Sequence, residues 1–377
     1  MESTVVLTLA GLCVGIALSG FLVVVVRQGG FRERFSLGMV YIAFMGMIAL
    51  PLVKTFATAV LINYMPLLLI MLLALPPAFF HYIAARTTTA SSSHFPWRDF
   101  ALPIAGCVVC IGFWTLPVQT KESMFISGEL PAGFLPAALA LSAFALMLLW
   151  LFTSFAYLVA ILRRLAAFRV LIRQLYSDAE ERDMRWIDVA MALLVLIWSV
   201  GAFSLANENF ADGSLFIEEL FLTLIAGGLL VLNIFAPTTT HETILTVEVE
   251  KPEIKYARSA LTNDRAEKLA NRLELAMRQD RLYLDPSLSL QQLSKHIGAL
   301  PNQVSQTLNQ EIGVTFFDYV SRWRIEASKP LIKEGELSVL AVALEVGFNS
   351  RSAFYNAFKR ETGTTPKGFR ALQQIDG

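Results

Sequence analysis

Glu311-Ile312-Gly313-Val314-Thr315 returns fifty residues later as Glu361-Thr362-Gly363-Thr364-Thr365, so that Glu-x-Gly-x-Thr occurs twice. Apolar positions recur at the same offset: Val304 matches Phe354, Leu308 matches Phe358 and Tyr319 matches Phe369. Further upstream, with a slip of one residue, Leu293-Ser294 matches Val342-Ala343 and Ile297-Gly298 matches Val346-Gly347. The back of the chain therefore holds two copies of one supersecondary unit.

Each copy predicts a short helix, a glycine turn and a second helix. In the first, Leu290, Leu293 and Ile297 fall at helical spacing and Gly298 ends the run. Pro301 suits the first position of the next helix, whose apolar face is Val304, Leu308 and Ile312. In the second, Leu340, Val342, Ala343 and Val346 precede Gly347, and Asn349 or Ser350 can cap a helix that turns Phe354 and Phe358 inward. Helix, tight turn and helix make a helix-turn-helix unit, so two are expected, over 289–313 and 338–363.

The outward faces of the second helices carry Asn302, Gln303, Ser305 and Gln306, and Arg351, Ser352, Tyr355 and Asn356. All can hydrogen-bond to base edges. Lys359 and Arg360, at the far end of the second copy, suit phosphate. Between Lys295 and Arg370 there are 10 Lys+Arg against 7 Asp+Glu, which is only mildly basic. Charge alone does not name nucleic acid; the duplication does more, because matched units present two second helices to one partner.

These residues carry a family resemblance. Leu290–Arg370, about 80 of the 377 residues, resembles the DNA-binding domain of AraC/XylS-type transcription regulators. The most specific stretch is Ala343-Leu344-Glu345-Val346-Gly347-Phe348-Asn349-Ser350, continued by Phe354, Phe358-Lys359, Gly363, Thr365-Pro366 and Arg370. Weaker matches are Leu293-Ser294, Leu308-Asn309-Gln310-Glu311-Ile312-Gly313 and Arg324-Ile325-Glu326-Ala327-Ser328-Lys329. The resemblance implies two subdomains joined by a long helix, Phe316–Ile332. It also implies recognition helices, Pro301–Glu311 and Ser350–Arg360, that enter adjacent major grooves. By it, Asn302, Ser305 and Gln306 read bases in the first, and Arg351, Ser352, Tyr355 and Asn356 in the second. Two departures stand out: Leu300-Pro301 replaces the usual Ser cap, and Pro330 predicts a kink or an end near Lys329 in the linking helix.

Upstream, Ala266, Leu269, Leu273 and Met277 predict an amphipathic helix that Asn263 or Asp264 can cap. Residues 237–262 read as a polar linker, in which His241 is a loop residue. Before the linker the texture is different. The chain is 55% hydrophobic and only 16% charged, which excludes disorder and argues against a single water-soluble globule. Net charge is zero, but 18 Lys+Arg and 17 Asp+Glu crowd into 241–377, against 13 and 14 in 1–240.

Residues 1–236 read as a membrane bundle of seven spans: Val5–Val26, Ser36–Val53, Phe56–Ala84, Phe100–Val118, Phe134–Leu162, Trp186–Leu205 and Leu215–Ala236. The short second run, in a tight hairpin with the third, leaves six as the alternative. Prolines 51, 66, 76, 77 and 103 inside these runs are tolerable in a bundle. The first run follows Met1 and Glu2 and precedes Arg27, Arg32 and Arg34, unlike a cleavable signal. Alternate loops starting there hold eleven arginines (27, 32, 34, 86, 98, 163, 164, 169, 173, 182 and 185), against Lys54 and Lys121 on the other side. That bias predicts an outside N-terminus and a cytoplasmic C-terminal domain. The whole is expected to be all-α: a bundle over 1–236, a linker, and a helical DNA-binding domain over 263–377.

Asp188, Glu218 and Glu219 sit in or beside the last two runs, at depths where an interfacial role or a sensing role is open. Cys13, Cys107 and Cys110 lie in apolar runs without a second ligand pair and read as buried small hydrophobes. Thr87–Ser93 reads as a solvated connector. No catalytic constellation, phosphate loop, metal-ligand spacing or cofactor motif is present, so no enzyme chemistry, metal or cofactor is expected. Expected partners are double-stranded promoter DNA, a bacterial inner-membrane bilayer, a second copy in a homodimer, and a signal ligand or membrane partner of open identity. The rival readings are a transporter or membrane enzyme with an appended regulatory domain, and a bundle that only anchors.

Overall fold

The computed structural model describes residues 4–26, 30–87, 97–179, 186–193, 195–196, 199, 217–238 and 263–375. Among them no strand occurs, and the residues fall into two compact units. One comprises 1–165 and 185–247, the other 166–184 and 248–377.

The N-terminal unit is built from α1 (Thr4–Val26), α2 (Phe31–Ile48), α3 (Leu50–Phe56), α4 (Thr58–Thr87), α5 (Ala101–Trp114), the short α6 (Val118–Glu122), the first part of α7 (Phe134–Leu175) and α8 (Ile217–Thr238). Helix α1 packs on α2 and α8, and α4 packs on α2 and α5. By length and composition α1, α4, α7 and the stretch Trp97–Trp114 can each cross a bilayer. Helices α2 and α3 make a fifth crossing if counted as one span, bent by 44°. The expected single run Ser36–Val53 thus breaks at Ala49, and a new helix begins at Leu50 with Pro51 in its first turn, where a missing amide costs nothing. Pro66, Pro76 and Pro77, by contrast, lie inside an unbroken α4. Of the expected sixth run, Trp186–Leu205, residues 194, 197–198 and 200–205 lie outside the described residues. The expected seventh overlaps α8, whose described apolar stretch is Leu222–Phe235. Seven spans are therefore not shown among the described residues.

Large apolar side chains such as Leu141, Phe144, Phe152 and Phe155 stand exposed along α7. Two buried cations of the unit have partners: Arg86 donates to Glu33 at 2.9 Å with both side chains buried, and Lys121 donates to the neutral Asn63 Oδ1 at 2.9 Å. Cys13 and Cys110 are buried and Cys107 half-buried.

Helix α7 contains 42 residues, about 63 Å at 1.5 Å per residue. That is twice the roughly 30 Å of a hydrocarbon core. From Ala166 onward its residues belong to the C-terminal unit. There Leu175 joins a core with Leu269, Leu273, Leu293, Val304, Leu308 and Val320, and Leu171 and Tyr176 pack against it. The rest of that unit comprises α9 (Asn263–Arg278), α10 (Leu290–His296), α11 (Pro301–Thr307), α12 (Phe316–Glu334), α13 (Val339–Glu345), α14 (Arg351–Thr362) and α15 (Pro366–Ile375). A second core collects Val342, Ala343, Val346, Phe348, Phe354 and Phe358.

Helix α12 serves both cores, giving Phe316, Tyr319 and Val320 to the first and Ile325 and Ile332 to the second. It runs through Pro330 and stops at Gly335 (φ 78°), so of the expected kink or end near Lys329 the end does not occur. The missing amide at Pro330 frees a carbonyl at Glu326, an exposed position, where water can satisfy it.

Candidate nucleic-acid interface

The repeated Glu-x-Gly-x-Thr motif is a stop signal followed by a start signal. Gly313 and Gly363 both sit at φ 75°, in the left-handed region that ends a helix. Two residues later Thr315 Oγ1 accepts from Asp318 N at 3.2 Å, and Thr365 Oγ1 accepts from Gly368 N at 3.2 Å, capping α12 and α15. The matched pairs Val304/Phe354 and Leu308/Phe358 are all fully buried. Burial of one face by equivalent residues turns equivalent faces outward.

Three of the four helices in the two units begin with a serine cap. Ser289 accepts from Gln292 N at 3.3 Å, and its own amide donates to Gln292 Oε1 at 2.6 Å, a capping box. Ser338 accepts from Ala341 N at 3.1 Å, and Ser350 from Ala353 N at 3.2 Å. The exception is α11, where Leu300 offers no side-chain oxygen and Pro301 takes the first position. Beyond Thr307 the helix widens into a π turn over Leu308–Ile312.

Asn302 is exposed, and Gln303, Ser305 and Gln306 are half-buried, all on α11. Asn302 Oδ1 accepts from Gln303 N at 2.8 Å. Gln306 Nε2 donates to Gln310 Oε1 at 2.9 Å, and Asn309 Nδ2 donates to Ser305 O at 2.9 Å. This face is a row of neutral amides and hydroxyls. On α14, Arg351, Ser352 and Asn356 are exposed and Tyr355 is half-buried. The Arg351 guanidinium lies 5.2 Å from the Tyr355 ring centroid, so this face is organised by a cation over an aromatic ring.

Lys359 and Arg360 differ, although they are neighbours. Lys359 is exposed. Arg360 faces Asp318 Oδ1 and Glu361 Oε1, each at 3.4 Å, and its guanidinium lies 5.3 Å from the Phe317 ring centroid. Arg173, near the end of α7, lies over the same ring at 5.7 Å. Burial pushes the Tyr319 phenol up to about 12. Asp188 is exposed in the helical stretch 186–193, and Glu218 and Glu219 fall in the first turn of α8.

The sequence reading gave Arg324 and Ser177 no part in positioning this face. Arg324, 1% exposed, donates from Nε to Tyr283 O at 2.7 Å and from Nη2 to Asp285 O at 2.7 Å and Ser177 Oγ at 3.2 Å. Its guanidinium also lies 5.4 Å from the Phe348 ring centroid. It thereby ties the linking helix to the loop before α10, to the second unit and to the segment after α7. Ser177 returns a second tie, donating its amide to Leu288 O at 3.1 Å. Gly347, at the second turn, has φ 90°, and a Cβ there would lie 2.6 Å from Tyr283 O and 2.9 Å from Leu284 O.

Residues 293–372 match the helix-turn-helix domain family. Over 112 residues the chain is 30% identical to an uncharacterized HTH-type transcriptional regulator of Staphylococcus aureus (strain COL), a stretch that covers 30% of this chain and 14% of that protein. Over 90 residues it is 28% identical to the melibiose operon regulatory protein of Escherichia coli (strain K12), covering 24% of this chain and 30% of that one. This chain thus spans less than a third of either relative. Among solved structures it is similar to the C-terminal domain of AraT, a response regulator from Geobacillus stearothermophilus. There the identity is 22%, the TM-score 0.25, and the coverage 28% of this chain and 84% of that one. The C-terminal domain of the two-component response regulator yesN from Fusobacterium nucleatum shows 28% identity and a TM-score of 0.24, with coverage of 28% and 98%.

Proposed function

With an AraC-type helix-turn-helix domain over residues 293–372 as the premise, we propose that this chain is a membrane-anchored, sequence-specific transcription regulator. The observation that carries the reading is the pair of matched units joined by α12, each turning a polar helix face outward while equivalent apolar residues are buried. Asn302, Gln303, Ser305 and Gln306 read bases from α11, and Arg351, Ser352, Tyr355 and Asn356 from α14. Lys359 holds phosphate. Arg360 serves first to brace α14 on α12 through Asp318.

The membrane half of the reading has three supports. Eleven loop arginines oppose two lysines. Helices of spanning length and composition carry exposed apolar side chains. The third is topological. Residues 166–179, in the arginine-rich loop after the fifth run, pack within the same unit as 263–375. Both therefore lie on one side of any membrane, and the crossings between them must be even in number, which suits the two expected there. Inner-membrane localisation, a second copy on the operator and a signal received by the bundle complete the proposal.

The test has two arms in bacterial cells. A cytoplasm-active reporter fused after Gly377 should work, and one inserted in the Lys121–Gly133 loop should not. Crosslinked chromatin recovered with the full chain should be enriched in a small set of promoters. The reverse reporter pattern, or recovery without promoter enrichment, sinks the reading.

A further inference from the structure

A cavity of about 530 Å3 lies within the N-terminal unit, bounded by α2, α4, α7 and α8 and by Ala190, Met191, Leu193, Val195 and Ser199. That is the volume of an ordinary small-molecule pocket. Phe44, Leu75, Phe79, Leu158, Met191 and Leu229 supply its walls. Among the described residues no Asp, Glu, Lys, Arg or His lines it.

Its hydroxyl groups are not equivalent. Tyr157 donates to Asp99 O at 3.4 Å and Ser199 to Val195 O at 2.8 Å. Ser142 and Thr153, on the same helix as Ser154, bond back to Ala138 O at 2.7 Å and Leu149 O at 2.9 Å, the ordinary resting place for a helical hydroxyl. Ser154 does not. It is 7% exposed, lines the cavity, and its Oγ has no hydrogen-bond partner among the described residues. A buried hydroxyl left so is costly, and a partner arriving in the cavity removes that cost.

Ser154 lies eight residues before Leu162, about 12 Å along α7 from the inner end of the expected span. An acyl chain of a bilayer lipid reaching this depth brings only methylene groups, because its ester stays at the interface. A charged head is disfavoured as well, since among the described residues no opposite charge lines the cavity to offset its desolvation. We propose that the cavity is the binding site for a neutral, single-chain amphiphile whose polar head hydrogen-bonds Ser154 and whose hydrocarbon body fills the apolar walls. Such a molecule partitions into the bilayer and reaches the site laterally. The inference rests on the regulator reading for its purpose, as the signal of that regulator, but not for its geometry.

The full chain is reconstituted in phosphatidylcholine/phosphatidylglycerol nanodiscs and photolabelled with 1-dodecanol carrying a terminal diazirine. Label should map to the peptide containing Trp150–Ile161, saturate, and be displaced by unlabelled 1-dodecanol but at least tenfold less well by dodecanoate. Ser154→Ala, which keeps the cavity, should weaken labelling five- to tenfold, about the worth of one hydrogen bond. Gly228 lines the cavity and a Cβ there meets nothing within 4 Å, so Gly228→Leu should fit the fold and abolish labelling. Unsaturable label spread over the exposed faces of α1 and α7, matched by a diazirine phosphatidylcholine, overturns the proposal as bilayer partitioning. Saturable label indifferent to both variants overturns the site. Binding of the crosslinked promoter fragments by the same nanodiscs is measured in parallel. Intact promoter binding without saturable label leaves the regulator standing and removes the ligand site; absent promoter binding sinks the regulator reading while labelling still decides the cavity.

Discussion

The first and second helix-turn-helix units stop their outward helices identically, at Gly313 and Gly363, yet start them differently. One begins at Leu300-Pro301 without a side-chain cap and widens into a π turn; the other begins on the Ser350 hydroxyl and stays regular to Thr362. Their turns differ as well. Gly298 (φ 62°) has only the tip of Arg272 near its missing Cβ, at 3.2 Å, whereas Gly347 is pressed against two backbone carbonyls. Duplication preserved the scaffold and left each copy to be secured by its own surroundings. The first is loosely started and presents amides; the second is held at its turn, at its cap and by Arg360, and presents a cation and a ring.

The largest expected effect separates the turns. Gly347→Ala combines a left-handed backbone with a clash against carbonyls that cannot swing aside, and should cost about 4 kcal/mol. Gly298→Ala keeps the backbone penalty alone, because the Arg272 side chain can yield, and should cost about 1 kcal/mol. Pulse proteolysis of the C-terminal unit in the detergent-solubilised full chain measures both. Equal losses would break the asymmetry between the copies.

Next comes the tie between them. Arg324→Met keeps much of the side-chain volume and leaves the Tyr283 and Asp285 carbonyls short of a donor, so about 3 kcal/mol should be lost in the same assay. Arg324→Lys should recover only part, since an ammonium cannot reproduce the fork. Full recovery by lysine would show that charge, not geometry, joins the units.

A third test reads function. Gln306→Ala should lose about 1–3 kcal/mol of discrimination at one operator position while leaving non-specific affinity nearly unchanged. Lys359→Ala should weaken all sequences alike and lower the salt slope by about one unit. Arg360→Ala should move the slope less than Lys359→Ala does, because Asp318 and Glu361 already face that guanidinium. Titrations over operator variants at two salt concentrations decide. If Arg360→Ala has the larger slope change, its ion pairs open on DNA and the braced second unit is less fixed than described.

The smallest effects concern the caps. Ser350→Ala should lose about 1 kcal/mol, and Leu300→Ser should gain about 0.5–1 kcal/mol by supplying the oxygen that α11 lacks. A Leu300→Ser variant no more stable than its parent would mean that Pro301 already sets the helix start.

Helices α10 to α14 were legible because apolar spacing, Gly298, Gly347 and the caps act locally, within one or two turns. The passage of α12 through Pro330 was legible only through the resemblance, which implies Phe316–Ile332; the residues alone place a strong breaker there, and Ile332, packed in the second core, lies beyond it. Among the site residues, outward placement of Asn302 and Arg351 followed from burial of Val304 and Phe354. The engagement of Arg360 with Asp318, 42 positions away, left no trace in any periodicity. Arg324 was hidden for a similar reason, because a lone arginine in a helix ordinarily reads as a solvated face. The sharpest omission was Leu171–Ser177. An apolar run that continues from a membrane span looks like span and loop, and nothing in its composition says that its last turn belongs to the core of a different unit.

That last feature bears on how the protein is made. Leu175 leaves the ribosome more than ninety residues ahead of Leu269 and Leu273, the first core partners that cover it. At about 5–20 residues per second, roughly 5–20 s of translation pass during which Leu171, Leu175 and Tyr176 have no companion. In the membrane-anchored reading proposed above, the two remaining apolar runs emerge within that interval. The core of the C-terminal unit therefore closes only after both runs have been synthesised. A chain stalled or truncated before Asn263 would display a bare apolar helix end, a mark by which quality-control proteases can tell it from a finished molecule.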